Sequence, residues 1–260
     1  MNRVVLTEMK DGVLRLTLND PVTRNSLSED MIDELLLALA TPGAHAIIIG
    51  ANGPAFSSGH NLKEITAHRT DTDGGATYFK MLFDKCARLM LAITQSHCPV
   101  IAEIDGLASA AGCQLVASCD LAIATDRSTF CTPGVNIGLF CSTPMVAVSR
   151  AVNRKHAMEF LLTGDIFAAE DALRMGLINR VTNHNELKAA SEALAHKIAS
   201  KSCAAMKIGK QNFDVQLDMP IADAYAHMAQ VMTDNLLVDE AKEGIGAFLQ
   251  KRPPKWERGV

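Results

Sequence analysis

The stretch AHAIIIGA, residues 44–51, constrains the fold of this chain more than any other. It is a continuous apolar run of strand length with three β-branched residues, and it offers no polar face to water. A strand of this kind has to be covered on both sides. PVIAEIDG (99–106) and DLAIAT (120–125) read as further strands, and residues 111–118 between them read as a helix. A recurring strand–helix–strand order points to an α/β core.

The remainder can be placed around that core. Apolar and polar residues alternate over 3–8 and 12–18 about the turn KDG, which predicts a β-hairpin. Ser26 and Glu29 have the spacing of a capping box ahead of MIDELLLALA, predicting a helix from about 27 to 40. RTDTDGG (69–75) reads as a mobile loop. Phe79, Leu82, Phe83, Cys86, Leu89 and Ile93 fall at helical spacing, so 77–95 is an amphipathic helix. A helix follows 142 with Pro144 in its first turn, and Gly164 and Gly176 stand where helix C-caps belong. Residues 185–200, 201–214, 220–237 and 239–250 all read as helices, so the last stretch carries no strand of its own.

Composition removes several functions. With 48% apolar and 21% charged residues the chain can bury a sizeable core, and a net charge of −4 gives no basic face for nucleic acid. VIAEIDGLASAAGCQLVAS, the most apolar stretch, carries Glu103 and Asp105 and is broken by glycines, so no membrane span is expected. The first residues, MNRVVLTEMK, resemble neither a secretory signal nor a transit peptide. Seven cysteines without a C-x-x-C pair suggest reduced thiols acting as small core residues, and a cytosolic location. No zinc spacing, Walker loop or dinucleotide fingerprint is present, so no metal site is expected. FSSG lacks the glycine two positions before its serine that a nucleophile elbow needs.

Two loops remain. SSGHN (57–61) follows the first buried strand, with Gly59 allowing a turn that residues with a Cβ resist. ASAAGC (108–113) opens into a helix N-terminus, where unpaired N–H groups and the helix dipole favour negative charge. Two N–H groups converging on one carbonyl oxygen would form an oxyanion hole. Each loop is equally readable as a tight strand-to-helix turn, and spacing alone does not separate these readings.

AFSSGHNLKEI (55–65), PVIAEIDGLASAAGCQLVASCDLAIAT (99–125), TGDIFAAEDALRMGLINRV (163–181) and EGIGAFLQKR (243–252) together resemble the crotonase superfamily, the enoyl-CoA hydratase/isomerase family, in order and spacing. The resemblance covers nearly the whole chain. It implies an α/β fold in which ββα units form a spiral over 1–200, followed by a helical trimerisation region over 201–260. It implies a homo-oligomer, trimer or hexamer, and an acyl-CoA or enoyl-CoA thioester as ligand in fatty-acid metabolism. No cofactor is implied beyond the coenzyme A moiety itself. The N–H groups of His60 and Ala111 would hold the thioester oxygen. Backbone around Ser58, His60, Asn61, Leu62 and Lys63 would line the path of the coenzyme. Phe248 and Lys251 would meet the CoA of a neighbouring subunit, although Lys251 also fits a solvated charge at a helix C-terminus.

One departure bears directly on the chemistry. Hydratases of the family share a water between two glutamates, and those positions fall at Gln114 and Gly134 here. An amide has no titratable proton at neutral pH, and glycine leaves the partner position empty. Losing an acid/base pair removes about 10²–10⁴-fold per proton transferred. The expectation is a protein that keeps thioester binding and enolate stabilisation and lacks efficient hydration. A CoA-thioester isomerase, decarboxylase or thioesterase-like enzyme and a non-catalytic acyl-CoA binder remain open. His60 reads as a contact residue beside the hole, Asp105 as a turn residue before Gly106, and Glu64 as exposed on a helical turn.

Overall fold

The structure is a computed structural model and describes residues 3–256. Strands β1 (Val5–Lys10) and β2 (Val13–Leu18) form the expected hairpin, its turn made by Asp11 and Gly12, both at positive φ. Helix α1 (Glu29–Leu39) follows, then β3 (Ala46–Ala51), β4 (Ala55–Ser57) and the short helix α2 (Leu62–Ala67). Helix α3 (Ala76–Thr94) leads to β5 (Val100–Ile104), β6 (Leu107–Ser109) and α4 (Ala111–Ser118). Next come β7 (Leu121–Thr125), β8 (Thr129–Cys131), a 3₁₀ turn (Pro133–Ile137), α5 (Ser142–Ala151) and α6 (Arg154–Thr163). The chain ends in β9 (Phe167–Ala168), α7 (Ala169–Met175), β10 (Arg180–Thr182), α8 (Leu187–Ala199), α9 (Cys203–Leu217), α10 (Ile221–Leu237) and α11 (Asp239–Leu249).

Two sheets organise these elements. The larger has the order β1-β2-β3-β5-β7-β10, parallel except for the β1–β2 hairpin. The smaller has the order β4-β6-β8-β9, with β4, β6 and β8 parallel and β9 antiparallel to β8. Each turn of the chain thus lays one strand in the large sheet, one in the small sheet, and then a helix.

The apolar run of β3 has a direct explanation in this arrangement. Ile47 and Ile49 face the main core with α1, α3 and α4, whereas Ala46 and Ile48 face Ala195 and Ala199 of α8. Both faces of the strand are dry, so no alternation survives in its sequence.

The described residues correct several local expectations. Ser28, not Ser26, caps α1 by accepting from the Met31 N–H at 3.2 Å; Ser26 is buried and hydrogen-bonded to Thr23 Oγ1. The stretch 69–75, read as a mobile loop, is a compact turn with a 3₁₀ segment at His68–Thr70. In it the Asp73 carboxylate accepts from the N–H groups of Gly75 and Thr77, which tie it to the start of α3. Gly164 and Gly176 are in the left-handed region, as C-caps require. The helices α9–α11 carry no strand, and α9 is pinned to the spiral by Lys210. Its almost fully buried ammonium donates to Ile93 O, Cys98 O and Asp120 Oδ2.

Candidate functional site

Three parallel strands of the small sheet, β4, β6 and β8, lie side by side and point their C-terminal ends the same way. The loops leaving those ends carry Gly59 and His60, Ala110 and Ala111, and Gly134. Loops at the carboxyl ends of parallel strands are where α/β folds place ligands.

The first loop is held from below. Ser57 Oγ donates to Asn25 O at 2.8 Å, Ser58 N and Oγ donate to Arg24 O and Thr23 O, and Leu27 N donates to Gly59 O. Arg24 and Asn25 are both left-handed, and the Asn25 amide donates to Asn52 O and Ala55 O. The segment 20–28 is therefore a clamp on this loop. Sequence reading treated it only as the approach to a helix; the turn-former Asn25 was the one available signal.

Backbone meets backbone between the first two loops. Gly59 has φ +82°, and a Cβ there would lie 2.9 Å from Ser109 O and 3.1 Å from Ala111 N. A Cβ on Gly112 would lie 2.4 Å from Ser57 O. Only glycine permits either approach. Ala110 sits at φ 50° and ψ −114°, a conformation that costs an alanine about 1–3 kcal/mol. Its N–H donates to Cys131 O, so β8 holds the strained residue in place. Ala111 is thereby the first residue of α4, where N–H groups have no partner within the helix. Among the described residues neither the Ala111 nor the His60 N–H donates an intramolecular hydrogen bond.

The His60 ring is fixed beside these groups. Its Nδ1 lies 3.1 Å from Leu27 O, an acceptor only, so Nδ1 carries the proton. Burial lowers its pKa, favouring the neutral ring, and Nε2 is buried without a partner among the described residues. The ring packs edge-on against Phe83 with centroids 5.4 Å apart.

Gln114 lies within α4, 4% exposed, with Oε1 4.0 Å from Cys86 Sγ. Gly134 differs from its expectation. The sequence leaves that position empty, but a Cβ there would lie 2.6 Å from Leu139 O and 2.9 Å from Cys141 Sγ. The space is filled by the 139–141 backbone and a thiol. Burial raises the thiol pKa values of Cys86, Cys113, Cys131 and Cys141, so these sulfurs stay protonated at neutral pH.

The remaining candidate residues are spread out. Asn61 caps α2, accepting from Lys63 N and donating to Glu64 Oε1 at 3.0 Å. Leu62 and Lys63 are exposed on that helix. Glu64 is not the exposed group expected: its Oε2 is buried without a hydrogen-bond partner among the described residues. Asp105 binds Thr125 Oγ1 and Arg127 and lies 3.0 Å from His184, so it braces strand ends. Phe248 and Lys251 are exposed at the end of α11, which packs on α10. A cavity of about 340 Å³ beside Glu243 and Arg252 and one of about 410 Å³ between α1 and α3 are lined by none of these residues. No group of three His, Cys, Asp or Glu among the described residues could hold a metal ion.

A family model described as enoyl-CoA hydratase/isomerase matches residues 8–259. The chain belongs to that family. It is 45% identical over 258 residues to the enoyl-CoA hydratase domain-containing protein 3, mitochondrial, of Rattus norvegicus, covering 98% of this chain and 84% of the relative. The crystal structure of human enoyl Coenzyme A hydratase domain-containing protein 3 superposes with a TM-score of 0.92 at 44% identity, over 98% of this chain and 100% of that one. An enoyl-CoA hydratase structure from Mycobacterium smegmatis gives 0.92 at 43% identity, over 98% and 99%. The fold is therefore the crotonase fold. The cytosolic expectation is overturned, because such relatives are named mitochondrial. Free thiols indicate only a reducing environment, which does not single out the cytosol.

Proposed function

We propose that this chain binds the thioester group of an acyl-CoA in fatty-acid metabolism, placing its carbonyl oxygen between the N–H groups of His60 and Ala111. The observation that carries this reading is the forced contact of the two loops at Gly59 and Gly112, next to two N–H groups without intramolecular acceptors. Preorganised donors of this kind stabilise an enolate or a tetrahedral oxyanion without further rearrangement.

The reaction is not efficient hydration. A shared water needs one group that takes a proton and one that gives it. The two positions hold an amide and a glycine whose Cβ direction is closed. The neutral surroundings of Gln114 favour either an enzyme that needs one base or none, such as an isomerase, decarboxylase or thioesterase-like enzyme, or a binder without catalysis. Ser58, Asn61, Leu62 and Lys63 line the coenzyme path in this reading. No cofactor beyond the coenzyme A moiety is needed. A trimer or hexamer would bring Phe248 and Lys251 of one subunit to the coenzyme of the next. Phe248 at 82% exposure, with Ile221 and Tyr225 of α10 also open, supports an assembly that covers such exposed apolar side chains.

Calorimetric titration with acyl-CoAs of graded chain length, free coenzyme A and free fatty acids tests the reading. Saturable binding of thioesters, at least about tenfold tighter than of either fragment, is expected. Failure of every thioester to bind would overturn it.

A further inference from the structure

Among the described residues three buried side-chain polar atoms make no hydrogen bond: His60 Nε2, Glu64 Oε2 and Thr182 Oγ1. Thr182 stands apart on β10, at the edge of the large sheet. The other two lie four residues apart, on the segment that carries the His60 N–H. Buried polar groups in folded proteins are almost always paired, so two open ones on one short segment call for a partner from outside the chain.

Both atoms are acceptors. His60 Nδ1 carries the proton that goes to Leu27 O, which leaves a lone pair on Nε2. Burial lowers the pKa of this ring and keeps it neutral, and Phe83 of α3 packs against it. The Glu64 carboxylate likewise only accepts. Its Oε1 takes the Asn61 amide at 3.0 Å, so the carboxylate is folded back against the residue that follows His60. Donors in the neighbourhood of Glu64 are committed elsewhere. Tyr78 of α3 feels the Glu64 charge but hydrogen-bonds Glu29, and its hydroxyl stays protonated, its pKa pushed up to about 12 first of all by burial. Lys85 pairs with Glu29 and Asp33.

Two unfilled acceptors side by side select a partner with two hydrogens to give. Water is the simplest such partner, and buried waters ordinarily bond groups of this kind. Held through its hydrogens, a water keeps its oxygen lone pairs for attack. We propose that Glu64 is the catalytic base of a thioester hydrolysis, taking a proton from a water that it and His60 Nε2 hold beside the acyl carbon. This rests on the thioester reading above, and it selects hydrolysis from the reactions that need one base. The water oxygen bonds the carbonyl carbon as its proton passes to Glu64 Oε2. The carbonyl electron pair moves onto the oxygen between the His60 and Ala111 N–H groups. When the C=O re-forms, the C–S bond breaks and the coenzyme A thiolate takes the proton back from Glu64. Acyl-CoA and water thus give a carboxylic acid and coenzyme A, with nothing oxidised or reduced.

The test incubates the intact chain with saturated acyl-CoAs and measures acid and coenzyme A by chromatography and mass spectrometry. Both should appear in equal amounts, at least about 10²-fold faster than in buffer alone. With protein in excess and water labelled with heavy oxygen, the acid from the first turnover should carry the label. In Glu64→Gln the rate should fall at least about 10²-fold, while calorimetry shows thioester affinity within about threefold of wild type. A thioester that binds and is not hydrolysed faster than in buffer would overturn the proposal and leave the thioester reading intact. A rate that survives in Glu64→Gln would overturn it equally. So would an unlabelled acid, since its oxygen would then come from a protein carboxylate. If no thioester binds, the underlying reading falls first. Should the variant fail to fold, as far-ultraviolet circular dichroism would show, the wild-type rate and label still decide.

Discussion

Glu103 and Gln114 stand little more than ten residues apart, on β5 and α4, and the chain treats them in opposite ways. Glu103 points to the α8 side of the large sheet. There its carboxylate takes a 2.7 Å ion pair from Arg15 and a short hydrogen bond from Ser191, and Arg15 reaches on to Glu192. Gln114 points into the other side and meets only a thiol on its oxygen. Charge is placed where a helix has to be tied to a sheet, and Gln114 and Gly134, where the family resemblance implies a pair of glutamates, are neutral. Half-buried ions need partners on both sides of the pair, whereas a neutral amide can be buried with weaker partners at a smaller cost.

That contrast can be broken from either end. The largest effect is expected at the charged side. Glu103→Ala leaves Arg15, 13% exposed, without its main partner. Urea unfolding should show a loss of about 3 kcal/mol, while thioester affinity in the folded protein stays within about twofold, since the network lies across the sheet from the loops. A comparable loss of affinity would show that the two sides are coupled.

At the neutral side, installing a glutamate at both positions is the obvious change, and on the proposed function it should fail. Gln114→Glu with Gly134→Glu puts a Cβ against Leu139 O at 2.6 Å. The expected result is a loss of about 1–3 kcal/mol of stability from overpacking, without gain of hydratase activity. Hydration at rates ordinary for the family would mean that the 139–141 segment moves aside.

The smallest effect concerns His60. Burial holds its pKa below the ordinary value of 6.5. Above pH 6.5 the folded and unfolded rings are both mostly neutral and contribute nothing. As pH falls below that value the unfolded ring takes up a proton that the folded ring refuses, so stability declines. Denaturation midpoints of wild type and His60→Asn between pH 7.5 and roughly 5.5 should converge at the acid end. Parallel curves would remove the assignment of His60 as a buried neutral ring.

Much of the spiral was legible in the sequence because its signals are local. The run AIIIGA has one outcome once both its faces are dry, and Gly164 and Gly176 mark helix ends by conformation alone. The small sheet was not legible. Strands β4, β6, β8 and β9 have two or three residues each and exist only through pairing with partners far along the chain. AFS was accordingly not recognised as a strand. Gly59 was recognised as permissive, but what each glycine of the site approaches is a long-range contact: Gly59 to Ala111 N, Gly112 to Ser57 O, Gly134 to Leu139 O. The last of these turned an empty position into a closed one. The choice between Ser26 and Ser28 as helix cap turned on Thr23, which claims the hydroxyl of Ser26.

The central claim is that this site holds a thioester with no acid/base pair to hydrate it. The most direct test mixes the protein with a short 2-enoyl-CoA at concentrations where calorimetry shows the site filled, and follows the absorbance of the conjugated double bond. The account predicts saturable binding with the double bond intact, or consumed at least about 10²-fold more slowly than by a member carrying both glutamates. Rapid loss of the double bond on binding would contradict it.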